Sequence, residues 1–372
     1  MPIALPEPTA HRSAKTPMSL GRRLLAGMGV AILGAFLAGC STLRFYAQAA
    51  NGQAEILCKA RPIVKVIAED KTSERVRRKL ALVQELRQYA AQELELPAYR
   101  QYGRYTDLGR RYVVWVVYAA PEFSVEGKTW SYPLVGTLEY RGFFSKKAAD
   151  EEAAGLKAAG FEVFSGGVEA YSTLGWFRDP VLNTFLYRSD SELAELIFHE
   201  LTHVKLFVPG DTDFNEAFAT ANAEAGVRRW LTSKRDWRDL ARYDKALSRE
   251  REMVQLLLGT REELKRLYAR ASLGPEEMRR EKAEIIAAMR RKYADIRSRW
   301  GVSAKRDRSF ERPWTNARLN TVATYYNLVP GFERLLKEKG GDLDAFYAAV
   351  KAMRHLSKEQ RKAALMGERA PR

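Results

Sequence analysis

The sequence predicts an α+β protein richer in helix than in strand, and three observations carry that expectation. Residues 189–230 read as a capped helix with an apolar stripe, a Pro-Gly break and a second helix. Between residues 112 and 187 the period changes to short β-branched and aromatic runs, enough for a small sheet. From 233 to 305 a very charged stretch carries an approximate heptad of apolar residues, the pattern of a long helical hairpin.

The chain has 372 residues and a net charge of +16. Residues 18–40, MSLGRRLLAGMGVAILGAFLAGC, pair Arg22 and Arg23 with an apolar run too short and Gly-rich to span a bilayer stably. That order is the one a secretory signal uses. Its end, Leu37-Ala38-Gly39-Cys40, resembles the bacterial lipobox, so Cys40 is expected to be lipidated as the first mature residue. Residues 1–39 are then leader and signal peptide, and 40–60 a lipid-anchored N-terminal segment. Loss of 1–39 removes four cations and one acid, leaving +13 over 333 residues. Such a surplus favours anionic neighbours, and for a secreted, anchored chain those are headgroups or envelope polymers. No nucleic-acid motif accompanies the charge. With Cys40 assigned to lipid, Cys58 has no partner, and stability must come from a core.

Along the chain, residues 41–60 predict a helix ending near Arg61-Pro62, and 71–94 a second one carrying Val76, Leu80, Val83, Leu86 and Ala90. Tyr112–Tyr118, bounded by Gly109 and Pro121, is a buried strand; Leu134–Tyr140, Phe161–Phe164 and Asn183–Tyr187 are further strand candidates. Ser145–Ala159 is helical and stops at Gly160. A small sheet packed on the helix of residues 189–207 is the expected arrangement. The hairpin over 233–305 carries Leu240, Leu247, Val254 and Leu264, breaks at Gly274-Pro275, and returns through Met289, Tyr293 and Ile296. Residues 313–336 turn apolar again, and the tail from Leu343 reads as one more amphipathic helix. The expected division is 61–232 as a core, 233–305 as the hairpin and 306–372 as a helical return to the core.

The first helix contains His199-Glu200-Leu201-Thr202-His203. Residues four apart leave one face of a helix, so both imidazoles can reach one Zn2+ ion, with Glu200 beside them to take a proton from activated water. Ser189 and Glu192 form a capping box in front. A catalytic zinc takes three protein ligands, and Glu216, early in the second helix, is the candidate third, with Glu224 and Asp211 behind it. Asp213 and Glu216 also scan as a helix cap with a carboxylate at its third position, a structural reading of the same residues. A phenol is needed to meet the developing oxyanion, and Tyr171, Tyr325 and Tyr326 are candidates. Ser172 and Thr173 follow Tyr171 in a segment suited to lie beside a peptide substrate.

These residues, with Tyr46-Ala47-Gln48, Ala119-Ala120-Pro121-Glu122-Phe123, Tyr140-Arg141-Gly142-Phe143-Phe144, Ala170–Trp176, Asp179-Pro180 and Phe214-Asn215-Glu216, resemble a family of bacterial lipoproteins described as aminopeptidases. That family is assigned to the zincin metallopeptidases, and the resemblance covers nearly all of the mature chain. It implies a zincin-like catalytic core, His199 and His203 as zinc ligands, Glu200 as general base and Glu216 as the gluzincin-type third ligand. Glu169, after Gly166-Gly167-Val168, stands broadly where gluzincin aminopeptidases bind the substrate amine. The implied protein is a zinc peptidase, an aminopeptidase in the periplasm, anchored at the inner leaflet of the outer membrane because Ser41 follows the lipidated cysteine. Endopeptidase action on envelope proteins, and a non-catalytic assembly lipoprotein, are the competing readings.

Overall fold

The computed structural model describes residues 44–132, 136–170, 172–173, 177–302, 310, 312–326 and 328–367. It divides into two units, residues 1–50 and 51–372. In the first, residues 44–50 are helical; Cys40 and the signal segment lie outside the described residues. No helix among the described residues is long and apolar enough to cross a membrane.

The second unit starts with helical residues 51–58, followed by β1 (Arg61–Pro62), α1 (Ile63–Ile67) and α2 (Glu74–Gln92). Ser73 caps α2 by accepting the Val76 N–H, and Leu80, Val83, Leu86 and Ala90 leave its buried face at helical spacing. Next come β2 (Arg104–Thr106), β3 (Val114–Pro121), β4 (Trp130–Tyr132), β5 (Gly136–Leu138) and β6 (Tyr140–Phe143). After α3 (Lys146–Ala158), capped by Ser145, β7 (Phe161–Val168) and β8 (Val181–Leu182) complete the strands.

The main sheet has the order β6-β3-β7, antiparallel throughout, with Val114 opposite Val168 and Pro121 opposite Phe161. β1, β2 and β8 form a second small sheet, and β4 pairs with β5. The strand expected over Asn183–Tyr187 is instead a run of turns directly after β8. Its apolar residues are spent on anchoring that turn, since Phe185 and Leu186 are buried in the core.

Helices follow through the rest of the described residues: α4 (Asp190–Lys205), α5 (Thr212–Ser233), α6 (Trp237–Tyr268), α7 (Pro275–Arg299), α8 (Asn316–Tyr326), α9 (Val329–Glu338) and α10 (Leu343–Ala352). A single 3₁₀ turn, Met353–His355, then leads to α11 (Lys358–Met366). The tail expected as one helix is thus two, because Ser357 and Gln360 form a capping box that starts a new one.

α4 and α5 make the most extensive helix pair, with α2 on the far side of α4. The main sheet packs on α3 and α8 rather than on α4 as expected. β3 explains this: Val117 and Ala119 leave one face, while Tyr118 and Ala120 leave the other and meet Ala317 of α8. The principal core joins Leu193, Ile197, Phe198 and Leu201 of α4 to Phe214 and Phe218 of α5, Phe332 of α9 and Phe346 of α10. Phe218 lies 5.5 Å from Phe332 and 5.8 Å from Phe346, centroid to centroid. A second cluster joins Leu257, Leu264 and Leu267 of α6 to Met278, Met289 and Tyr293 of α7.

Candidate metal centre

α4 begins with the capping box its sequence implies. Ser189 Oγ accepts the Glu192 N–H at 3.3 Å, and Glu192 Oε2 accepts the Ser189 N–H at 2.9 Å. Its apolar side is buried, and His199 and His203 emerge one turn apart from the side that faces α5. The chain turns back over residues 206–211, where Gly210 takes φ +79°, a conformation open to glycine without strain.

α5 is capped by Asp211, not Asp213: Asp211 Oδ1 accepts the Phe214 N–H at 3.3 Å. Glu216 therefore stands in the second turn, past the position a capping carboxylate would hold, and is free to point at α4. Asn215 fixes the turn by accepting the Val208 N–H and donating to the Val208 carbonyl, both at 2.8 Å. Two turns further on, Asn222 donates to Thr202 Oγ1 at 2.7 Å and accepts from the Tyr347 hydroxyl at 3.1 Å. At Gly226 a Cβ would stand 2.8 Å from Leu94 Cδ1 and 3.0 Å from Phe198 Cδ2, so glycine permits the close approach of the two helices.

This frame brings three ligand atoms together. His199 Nε2 lies 3.1 Å from His203 Nε2 and 3.2 Å from Glu216 Oε2, and His203 Nε2 lies 3.6 Å from the same oxygen. Zinc bonds of 2.0–2.1 Å at a tetrahedral angle place ligand atoms about 3.3 Å apart, so the set fits such an ion. The chemistry fits too: two imidazoles and a carboxylate are zinc's usual oxygen and nitrogen donors. His203 is 5% exposed, and its Nδ1 has no hydrogen-bond partner among the described residues. No other such group of three occurs among the described residues.

The electrostatics agree with the geometry. Burial opposes charge on Glu216, yet hydrogen bonds with His199 and His203 hold its carboxyl far below the usual range. Burial pulls His199 down, but Glu216, Glu200 and Glu195 outweigh it and raise its pKa. Both shifts describe a buried carboxylate and imidazole that attract each other. Glu200, beside His199 and half-buried, has no hydrogen bond or ion pair among the described residues.

The remaining candidates fall elsewhere. Glu224 is buried among Arg251, at 2.5 Å, and Arg228, at 3.7 Å. Asp211 pairs with Arg361 at 2.7 Å. Glu169 pairs with Arg188 at 3.2 Å, so a cation of the fold already answers its charge. Ser172 and Thr173 both bond to Asp179, with Thr173 Oγ1 at 2.8 Å and its N–H at 2.9 Å. Tyr171 lies outside the described residues; Tyr325 and Tyr326 end α8, and their side chains lie outside them too.

Two phenols that no sequence signal singled out stand near the centre. Tyr118, on the α8 face of β3, is 9% exposed, and its hydroxyl has no hydrogen bond among the described residues. Burial, then the charges of Tyr140, Glu216 and Glu139, push its pKa far up, which keeps it a neutral donor. Tyr102, at φ +56°, donates its N–H to the Asp179 carbonyl at 2.8 Å. Burial raises its pKa, with the charge of Glu200 adding to it. The signals are position in a period-2 strand for Tyr118 and a left-handed backbone for Tyr102, and only the second is invisible in a sequence.

A family model described as "Putative aminopeptidase" matches residues 44–365. Among curated proteins and among solved structures, nothing matches the chain.

Proposed function

The chain belongs to this aminopeptidase family, and on that premise we propose that it is a zinc-dependent peptidase acting on the free N-termini of peptides. The observation that carries the reading is the convergence of His199, His203 and Glu216 within 4.8 Å, with Glu200 next to them and unpartnered among the described residues. His199, His203 and Glu216 would hold the ion. Zinc, when bound, polarises a carbonyl and acidifies water at neutral pH.

Glu200 supplies the proton chemistry. It is adjacent to His199 on α4 and bonded to no other group among the described residues, so it takes the proton from attacking water and returns it to the leaving amine. Tyr118, held neutral and without a hydrogen bond among the described residues, supplies a donor for the carbonyl oxygen as negative charge develops on it. Asp179 holds Ser172 and Thr173 through hydrogen bonds to both. Cys40 carries a lipid, and the enzyme works on the periplasmic side of the envelope.

Equimolar zinc in the purified wild type, absent from His203→Ala, is the expected result. A wild type that binds no divalent ion overturns the proposal. Acetylating a peptide's N-terminus is expected to abolish its cleavage; equal cutting of free and acetylated peptides removes the exopeptidase part alone. Tyr118→Phe is expected to lower kcat by about 10²-fold with zinc retained. Fatty-acid labelling that survives in Cys40→Ala would refute the anchor.

A further inference from the structure

The buried pair Arg361–Asp211 ties the last helix of the chain to the helix that carries Glu216. Arg361 Nε donates to Asp211 Oδ2 at 2.7 Å, and the two side chains are 8% and 3% exposed. Asp211 uses its other oxygen to cap α5, so one carboxylate joins both helices. The remaining guanidinium is also engaged: Nη1 donates to the Leu356 carbonyl at 2.6 Å, and the group lies 5.6 Å from the Phe214 ring.

α11 does not depend on Arg361 to stay in place. Gly331 of α9 lies against the Leu365 backbone, where a Cβ would stand 2.3 Å from the carbonyl oxygen. Arg334 of α9 donates to that same carbonyl at 2.6 Å. Arg361 therefore transmits the position of a docked helix to Asp211, and through Asp211 to the first turns of α5.

Glu216 sits five residues beyond Asp211, in the second turn. A helix whose cap loosens frays from its first turn, and fraying here moves the Glu216 oxygen away from the two imidazoles. Partners one step behind a metal ligand orient it, and losing one typically costs about 10- to 100-fold in metal affinity.

From this we propose that Arg361 is a positioning residue for the metal centre: through Asp211 it fixes the start of α5 so that Glu216 meets His199 and His203. The inference rests on the zinc reading above.

The test uses the full chain and zinc alone. Arg361→Met is expected to weaken zinc binding about 10- to 100-fold in a competition titration and to speed amide hydrogen exchange at residues 212–217. Met leaves Asp211 buried and unpaired, which can itself unfold the protein, so Asp211→Asn with Arg361→Met is the second variant. Asn still caps the helix, and with the charge gone the double variant binds zinc no more weakly than Arg361→Met. Ser145→Ala, which removes the cap of the distant α3, lowers Tm and leaves the zinc Kd unchanged. Unchanged zinc affinity and exchange in a folded Arg361→Met, or additive losses in the double variant, overturn the role of Arg361. A wild type without zinc affinity sinks the metal reading instead; faster exchange at 212–217 in Arg361→Met still separates the two failures.

Discussion

The α4–α5 pair and the α6–α7 hairpin are both long helix pairs, yet they are held by different forces. Around α4 and α5 the polar links are buried and directional: Asn222 to Thr202 across the pair, Tyr347 of α10 to Asn222, and Asn215 to both backbone groups of Val208 in the turn between them. In the hairpin the ion pairs across the two helices lie on the surface, as Lys292 with Glu263 at 3.6 Å and Arg299 with Glu252. A buried hydrogen bond lost leaves an unsatisfied group at full desolvation cost, whereas an exposed ion pair is screened and contributes little. The pair that brings His199, His203 and Glu216 together is built from the first kind.

Glu200→Gln should have the largest effect and should fall on one side of the comparison only. It should lower kcat by about 10²- to 10⁴-fold while zinc content and Tm stay as in the wild type. A simultaneous fall in Tm would mean that Glu200 supports the helix pair rather than the chemistry.

Phe218→Ala attacks the frame behind the ligands. Phe218 is fully buried between Phe332 and Phe346. Its loss should cost about 3–5 kcal/mol in chemical denaturation, with zinc affinity falling alongside. Undiminished zinc affinity in the folded fraction would show that the site does not depend on this core.

Glu224 joins the two regions, since its carboxylate on α5 meets Arg251 on the hairpin. Burial raises its pKa to about 7 despite Arg251, with Glu333 adding to the rise. Between the ordinary value of 4.5 and about 7 the folded protein keeps a proton that the unfolded chain has released. Stability therefore falls as pH rises through that window, by an amount on the order of 3 kcal/mol at most, and levels off above it. Glu224→Gln should flatten this fall, gaining on the wild type at pH 8 relative to pH 5; a parallel pair of stability curves would refute it.

Arg280→Ala should have the smallest effect, below about 0.5 kcal/mol in Tm-derived stability, because its partner Glu277 is also exposed. A larger loss would mean that the hairpin's charges act as a network rather than pair by pair.

Much of the local structure is legible in the chain itself. The capping box at Ser189, the helical stripe of α2 and the Gly274-Pro275 break all depend on neighbours within one or two turns. The strand expected over 183–187 failed for the same reason inverted: apolar content marks burial, and a buried turn has it as readily as a strand. Asp211 as the cap of α5 was hidden behind Asp213, because two acids stand near one helix start and only the backbone path chooses between them.

The i, i+4 spacing of His199 and His203 was determined by the sequence alone, since helix geometry turns that spacing into a shared face. So were the Pro-Gly break that sends the chain back and the apolar periods that bury each helix. Tertiary structure alone decided that Glu216 rather than Glu224 or Asp211 meets the imidazoles, because Arg251 and Arg361 occupy the other two. It also brought Tyr118 near Glu216 from 98 residues away. Contacts between distant segments depend on how faces are packed, and no local pattern encodes the partner that a face will find.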